Sequence, residues 1–551
     1  MRLFAVAYLA AATAFAQIDL TGEWAPRFHE DQPERIPGPE IGDYLGLPIT
    51  AEARMRADAW DASLLTLPEH QCKPHPSDYG PRGPANLRIW KEVDTATQQI
   101  IAWHTHISWQ APERTIWMDG RPHPGPNAPH TWQGFSTGEW KGDVLVVTTT
   151  HLKIGWIRRN GVPRSDRATL TEHWIRHGDQ LTLVSIVHDP VYLTEPFLRT
   201  TDFEMDPHQQ IDPYPCEAVE EVPRAQGYVP HHLPGTNPFL TEFPTAHKLT
   251  GGPERGGAAT MYGSGYEAPV RQASLGPAIV VAPASSLHVQ GNVFMLTGLA
   301  TNMAVQAGPD GILLVDALAG NDVRNELQKI STKPLRIIVN TSADKTHTAG
   351  NESLSALGRT ITGGNVASAA AAFPATIVAH ENVTARMTEA GEPPTAWPGN
   401  TYLGDHKDLF LNGEAAQVIH MPAAHSDGDS VVFFRRSDVI ATGEIFSPDR
   451  YPSIDVKAGG TINGVLAALN RLLDLTIPAD KQEGGTMLIP AHGRVCDEAD
   501  LVEYRDMVTI ARDRVQDLVK KGMTLQQALA ARPTADYDPL YGPGDAFVTA
   551  A

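Results

Sequence analysis

The stretch Asn-Thr-Ser-Ala-Asp-Lys-Thr-His-Thr-Ala-Gly-Asn, residues 340–351, decides the fold of the C-terminal half of this chain. It directly follows the apolar run Leu-Arg-Ile-Ile-Val at 335–339, which predicts a buried strand, and a helical segment comes next. Loops beyond the carboxyl ends of strands bring together side chains from distant parts of a sequence. We therefore expect Ser342, Asp344 and His347 to meet residues from other such loops.

Strand and helix patterns alternate on both sides of this loop. Short apolar runs predict strands, and longer amphipathic runs predict helices. The predicted strands are 287–296, 303–307, 311–316, 335–339, 418–421, 430–434 and 439–442, and the predicted helices are 321–330, 462–475 and 500–521. Such mixed alternation favours sheets faced by helices, an α/β sandwich.

Four further stretches follow the loop in a characteristic order. They are Ile-Val-Ala-His-Glu-Asn at 377–382, Met-Pro-Ala-Ala-His-Ser-Asp-Gly-Asp at 421–429, Ala-Thr-Gly-Glu-Ile-Phe at 441–446 and Ile-Pro-Ala-His-Gly at 489–493. Together with the loop, their order and spacing resemble the motifs of the metallo-β-lactamase superfamily, over roughly residues 286–532. The resemblance implies an αββα sandwich.

In that superfamily the loop reads Thr-His-x-His-x-Asp-His-x-x-Gly-Asn, and its histidines and aspartate bind one or two zinc ions. Ser342 and Asp344 stand where the family has its first two histidines, and Thr346 stands in place of the aspartate. The matching positions are Thr341, His347, Gly350 and Asn351. These three departures determine whether the fold still supports catalysis.

The resemblance leaves five residues as metal ligands. They are Asp344, His347, His425, Glu444 and His492. A Ser342 hydroxyl is a poor zinc ligand, so we expect one divalent ion rather than two, with zinc first and iron or manganese as alternatives. Glu444 keeps the charge of the family's bridging aspartate but adds a methylene.

Two functions follow from these residues. The first is hydrolysis of a small ester, amide or lactone by a metal-activated water, with Asp344 and Thr346 as catalytic residues. Thr346 orients that water at best, because its hydroxyl cannot take a proton at neutral pH. The second is a non-catalytic binding protein with a vestigial pocket. The departures at Ser342, Asp344 and Thr346 suggest this alternative.

The N-terminal region has a different pattern. Strand-length runs at 99–109, 143–150, 169–176, 181–187 and 197–203 are separated by turn signals such as Lys-Gly-Asp and His-Gly-Asp. We expect a mostly-β domain at 17–223, either a barrel or a sandwich. A Pro/Gly-rich linker at 224–285 leads to the metallo-β-lactamase-like domain at 286–551, which ends in a helical extension.

The first sixteen residues resemble a signal peptide. Arg2 precedes an apolar run, and Ala14-Phe15-Ala16 fits a cleavage site. We therefore expect a periplasmic or secreted protein without a membrane span. The formal net charge of −20 argues against a nucleic-acid partner. The resemblance to the metallo-β-lactamase superfamily implies a small-molecule substrate. Export also permits a disulfide between Cys72 and Cys216, with two separate thiols as the alternative.

Overall fold

The computed structural model of this chain is mostly β. It describes residues 18–27, 38–83, 85–108, 113–209, 211, 215–261, 284–360, 373–479 and 481–551, so the predicted signal peptide at 1–16 lies outside the described residues. Within those ranges, no helix has the length and apolar composition needed to cross a membrane.

Nine strands of the N-terminal region form a closed barrel in the order β1-β11-β10-β9-β6-β5-β4-β3-β2, and β7 and β8 form a separate ribbon. Neighbours in the barrel are antiparallel except for the parallel pair β4–β5. The strands are β1 (Gly22–Arg27), β2 (Leu87–Val93), β3 (Ile100–Ile107), β4 (Arg114–Trp117), β5 (Phe135–Lys141), β6 (Val144–Thr150), β7 (Gly155–Arg158), β8 (Val162–Arg164), β9 (Thr169–His177), β10 (Gln180–His188) and β11 (Phe197–Met205). Of the two architectures expected for this region, the structure has the barrel.

Both predicted hairpin turns are present. Gly142 connects β5 to β6 and Gly178 connects β9 to β10, each with a positive φ, 63° and 61° respectively. Glycine adopts this conformation without a steric penalty, which is why the Lys-Gly-Asp and His-Gly-Asp signals were informative. Alternate residues of the strands fill the barrel with large apolar side chains, including Trp24, Trp103 and Trp174.

The segment around the barrel is helical or irregular and packs against it. Helix α1 (Ala51–Asp58) is followed by 3-10 turns at Ala62–Thr66, Pro68–His70 and Gly80–Arg82. The predicted linker contains helices α2 (Phe239–Ala246) and α3 (Ala258–Met261), and it folds back onto the end of α1. There Asn237 donates a hydrogen bond to the carbonyl of Asp58 at 2.8 Å, and Arg255 forms an ion pair with the Asp58 carboxylate at 2.5 Å.

The first C-terminal sheet has seven strands. They are β12 (Ser285–Gln290), β13 (Val293–Thr297), β14 (Met303–Gly308), β15 (Gly311–Val315), β16 (Leu335–Val339), β17 (Thr376–His380) and β18 (Asn400–Tyr402), in that order across the sheet. The first four are antiparallel, and β15 to β18 are parallel. Its helices are α4 (Asn321–Ile330), α5 (Lys345–Thr348), α6 (Asn351–Ser355) and α7 (Glu381–Glu389).

The second sheet has six strands and precedes the C-terminal helices. Its strands are β19 (His406–Leu411), β20 (Glu414–His420), β21 (Ser430–Phe434), β22 (Val439–Gly443), β23 (Met487–Pro490) and β24 (Cys496–Asp497), and β22 and β23 run parallel. The helices are α8 (Ile462–Leu475), α9 (Glu498–Lys520), α10 (Leu525–Ala530), α11 (Asp538–Tyr541) and α12 (Asp545–Ala550).

The two sheets pack face to face. Leu313 and Val315 of β15 share one buried cluster with residues of the second sheet, whereas Ile312 and Leu314 point to a second cluster that contains residues of α4 and α6. This alternation follows from the two-residue period of a strand. Because both faces of β15 are covered, all five of its residues are buried and apolar or glycine.

The outer face of the second sheet packs against helices and against the N-terminal region. Val431 and Phe433 belong to one buried cluster with Leu469 of α8 and Val508 of α9, and this cluster also contains Leu170 of the barrel. A buried ion pair reinforces this contact: the Lys153 ammonium lies 2.7 Å from Asp497 and 2.9 Å from Asp500. The region before residue 223 and the C-terminal half therefore share a hydrophobic core.

Cys72 and Cys216 form a disulfide bond, which decides between the two alternatives for these residues. The bond links residues 144 positions apart and tethers the segment after the barrel to the 3-10 turns that follow α1. A cross-link over so long a segment lowers the entropy of the unfolded chain considerably.

We expect loss of this disulfide to lower the free energy of unfolding by about 3 kcal/mol. Urea unfolding of the native protein with and without a reducing agent measures the effect. The Cys72→Ser/Cys216→Ser variant is the control, since reducing agent should not shift its unfolding midpoint. A native midpoint that is the same under both conditions would contradict the prediction.

Candidate active site

The loop at 340–351 is held in place by hydrogen bonds and close packing of its own residues. Asn340 and Asn351 exchange side-chain hydrogen bonds of 3.0 and 2.8 Å. Gly350 lies so close to the preceding loop that a Cβ there would be 2.5 Å from the backbone of Leu318. Thr341, almost completely buried, donates its hydroxyl hydrogen to Asp316 at 2.8 Å. These contacts maintain the loop conformation.

Asp316, at the end of β15, is a site residue that the sequence analysis did not identify. Its carboxylate is 2.8 Å from Nδ1 of His347 and also accepts the backbone N–H of Thr341 at 2.8 Å. Asp316 has a φ of 64°, an uncommon conformation for a non-glycine residue, and such strain concentrates at functional sites. The available signal was a lone carboxylate directly after a buried strand.

His347 and His492 meet at one carboxylate oxygen. Nε2 of His347 lies 2.8 Å from Oε1 of Glu444, and Nε2 of His492 lies 3.1 Å from the same oxygen. His347 is fully buried, and Glu444 follows Gly443, whose φ is 55°. The three residues follow the carboxyl ends of β16, β22 and β23, as expected for side chains that converge at one edge of the sheets.

The charges in this cluster reinforce one another. Burial by itself lowers the pKa of His347, but Asp316 and Glu444 outweigh this and raise that pKa well above its usual value. Burial likewise raises the pKa of Glu444, and the hydrogen bonds from His347 and His492 reverse the shift, so that its pKa is lowered. Without a metal ion, these shifts favour the protonated form of His347 and the ionised form of Glu444.

His425 and Asp344 form a second pair. Nε2 of His425 is 3.0 Å from Oδ2 of Asp344, and Nδ1 donates to the carbonyl of Ser453 at 2.9 Å. The hydrogen bond from His425 lowers the pKa of Asp344. The charge of His347 also lowers it, whereas the charge of Glu444 raises it. Burial lowers the pKa of His425, but Asp344 and Asp429 raise it to about 9.

The five predicted ligands thus lie in two hydrogen-bonded groups. The first contains His347, Glu444 and His492, and the second contains Asp344 and His425. Among the side chains that the structure describes, no three or more His, Cys, Asp and Glu residues form a group that could hold a metal ion as they stand. The donor atoms contact one another directly instead of surrounding a central point.

The three departures from the family pattern occupy different environments. Ser342 is 1% exposed, and its hydroxyl accepts the backbone N–H of Asp344 at 3.3 Å. The Asp344 side chain is 46% exposed, which lets solvent reach its carboxylate. Thr346 is exposed although it belongs to the same helical turn as the buried His347. Its proposed role in orienting a water stays a prediction.

Comparisons with known proteins give partial similarities. No family model matches the chain, and no curated protein does. The stereoselective inverting sec-alkylsulfatase Pisa1 from Pseudomonas sp. is 14% identical with a TM-score of 0.36, over 48% of this chain and 51% of that chain. This chain therefore covers about half of the sulfatase's length.

Two metallo-β-lactamases are matched over almost their entire length. The enzyme from Pontibacter korlensis is 15% identical with a TM-score of 0.32, over 41% of this chain and 98% of that chain. The DIM-1 metallo-β-lactamase is 16% identical with a TM-score of 0.32, over 41% of this chain and 97% of that chain. Less than half of this chain takes part in any of these three similarities.

Proposed function

We propose that residues 286–551 form an αββα sandwich of the metallo-β-lactamase type that hydrolyses a small ester, amide or lactone with one divalent metal ion. The observation that carries the proposal is the convergence of His347 Nε2 and His492 Nε2 on a single oxygen of Glu444, at 2.8 and 3.1 Å. His347, Glu444 and His492 are the residues that would hold the ion.

The chemistry of these donors fits zinc. Two imidazoles and a carboxylate form a set that zinc takes with one position left open. The carboxylate of Asp316, 2.8 Å from Nδ1 of His347, is the outer partner that a metal-binding histidine commonly has. Donors bonded to one tetrahedral zinc lie roughly 3.3 Å apart, so the present contacts must lengthen by a few tenths of an ångström.

Around the ion, side chains of this chain position the reactants. When bound, a divalent ion supplies a water that ionises near neutral pH and polarises a carbonyl group. Asp344 is partly exposed and its pKa is lowered, so its ionised carboxylate can accept a hydrogen bond from a water that reaches it and orient that water. The hydrogen bond from His425 holds Asp344 in this position. The exposed hydroxyl of Thr346 helps to orient the water.

We place the protein in the periplasm or outside the cell, with the barrel at 17–223 and the segment 224–285 preceding the hydrolase-like part. The disulfide between Cys72 and Cys216 supports this location, since structural disulfides persist in oxidising compartments.

A second candidate function is favoured by the close contacts within the site. The His347, Glu444 and His492 side chains already satisfy one another, and no ready metal group exists within the described ranges. A protein that uses this arrangement without a metal would be a non-catalytic binding protein. The departures at Ser342, Asp344 and Thr346 are compatible with it.

Metal analysis combined with a hydrolase panel distinguishes the two functions. Purified protein is first stripped with a chelator and then titrated calorimetrically with Zn²⁺, Mn²⁺ or Fe²⁺. Turnover of ester, amide and lactone substrates is measured with each ion. We expect about one ion per chain and turnover that requires it.

The Ser342→His/Asp344→His/Thr346→Asp variant, which restores the family residues, provides the comparison. If it binds metal and turns over substrate while the native protein does neither with any ion, the native site is inactive and the binding-protein alternative is correct. Turnover by both proteins, with different metal stoichiometry, supports an altered but active hydrolase.

A further inference from the structure

A cavity of about 280 Å³ lies outside the candidate active site, between the N-terminal region and α9. Residues from the 3-10 turns after α1, from β7 and from α9 line it, and none of them belongs to the groups around Glu444 or His425. Leu65 lines the cavity and is 46% exposed, so the cavity opens to solvent beside it. Small molecules can therefore enter from the surface.

Three tryptophans and one tyrosine are among the residues that line this cavity. Trp60 and Trp156 meet edge to face with their ring centroids 4.6 Å apart, and Trp132 lies on the same cavity wall. Trp60 is almost fully buried, so its packing holds the ring in place when the cavity is empty. Rigid aromatic walls bind flat apolar molecules at a low cost in conformational entropy.

Two basic side chains and one acidic side chain line this cavity. Lys73, Arg159 and Glu503 are the lining residues that carry a permanent charge. The Glu503 carboxylate forms two ion pairs: Lys73 lies 3.3 Å from one of its oxygens, and Arg56 of α1 lies 3.2 Å from the other. The cluster of Arg56, Lys73 and Glu503 thus keeps one net positive charge in a chain whose formal charge is −20.

The backbone fixes Lys73 at this position. Cys72, the preceding residue, has a φ of 59° and is held by the disulfide to Cys216. The Lys73 side chain is 19% exposed, so its ammonium group keeps access to the cavity while its ion pair with Glu503 limits its motion. A cation that is already positioned loses less entropy when an anion binds.

We infer that this cavity is a second binding site, which takes a small organic anion with a flat apolar body. The aromatic walls bind the apolar body, and Lys73 contacts the anionic group. This inference does not depend on the proposed hydrolase function, and its test requires neither a metal ion nor turnover.

Two probes with nearly the same aromatic body test the ligand class. 8-Anilinonaphthalene-1-sulfonate carries an anionic group, and N-phenyl-1-naphthylamine lacks it. Fluorescence titration of the full, metal-free chain should give one site for the sulfonate with a Kd on the order of 10 µM. The uncharged probe should bind about tenfold more weakly.

Variants then locate the site. Lys73→Gln should weaken sulfonate binding about tenfold and change binding of the uncharged probe less than twofold. Lys521→Gln is the matched control, because Lys521 is an exposed lysine that also pairs with a carboxylate, Asp517, at 2.6 Å. Leu65→Trp places a larger side chain at an exposed position of the lining, which narrows the opening of the cavity. It should weaken binding of both probes. Circular dichroism verifies that each variant is folded.

Equal affinity for the two probes, unchanged by Lys73→Gln, would overturn the anionic ligand class. Sulfonate binding that Leu65→Trp leaves intact would overturn the assignment to this cavity. Failure of the hydrolase experiments would leave these binding results unaffected, so the two proposals fail separately.

Discussion

Replacing Glu444 with glutamine is expected to reduce zinc affinity at least about 100-fold and metal-dependent hydrolysis about 1,000-fold. The carboxylate oxygen at the centre of the site accepts from both His347, at 2.8 Å, and His492, at 3.1 Å. A neutral amide cannot balance the charge of a divalent ion between these imidazoles. Calorimetric Zn²⁺ titration and turnover of the best substrate from the panel measure the two effects.

Glu381→Gln is the matched control, since Glu381 is an exposed glutamate at the start of α7. Its zinc affinity and turnover should remain within twofold of the native values. Glu444→Asp adds a second comparison, because it keeps the charge and removes one methylene. If Glu444→Gln binds zinc as the native chain does, the three-residue metal site is wrong, whatever the turnover.

Much of the C-terminal fold could be predicted from the sequence because its elements are long and uniform in pattern. Helices α4 and α8 and strands β16 and β21 have the predicted bounds. Each helix has a clear amphipathic repeat, and each strand is a short apolar run. Burial of both faces of a strand leaves little choice in how it pairs with its neighbours. Because both faces of β15 are apolar, its sequence does not indicate that Leu313 faces the other sheet and Ile312 faces α4.

The sequence predicted that His347, Glu444 and His492 lie near one another, but not how the candidate residues pair. The order of motifs brought His347, Glu444 and His492 to one edge of the sheets. The hydrogen bond between Asp344 and His425, and the part played by Asp316, depend on distances between residues 81 and 31 positions apart. No local pattern encodes those distances.

Several barrel strands escaped prediction because their sequences are short or interrupted. In β5, Gly138 stands where a Cβ would come within 2.6 Å of the Met118 sulfur, so close packing of the barrel requires a residue of low strand propensity. Ser136 is 1% exposed and hydrogen-bonds to Arg114 and Thr149.

Replacing Arg114 with methionine is expected to lower the free energy of unfolding by about 4 kcal/mol. The guanidinium group of this β4 residue lies 2.5 Å from Glu172 of β9 and hydrogen-bonds to Ser136 of β5 at 3.1 Å and to Thr149 of β6 at 2.8 Å. One side chain therefore joins four neighbouring strands, including the parallel pair. Its removal leaves the fully buried Glu172 charge without its counter-ion.

Urea unfolding, followed by circular dichroism and tryptophan fluorescence, measures this loss. Arg88→Met is the matched control, because Arg88 also pairs with a glutamate, Glu23, at 2.5 Å, but its side chain is 44% exposed, so that the loss should stay below about 1 kcal/mol. Adding Glu172→Met to Arg114→Met removes the unpaired charge and should recover most of the stability. A double variant as unstable as the single one would mean that Arg114 acts through its contacts with Ser136 and Thr149, and that barrel closure depends on those hydrogen bonds instead of the ion pair.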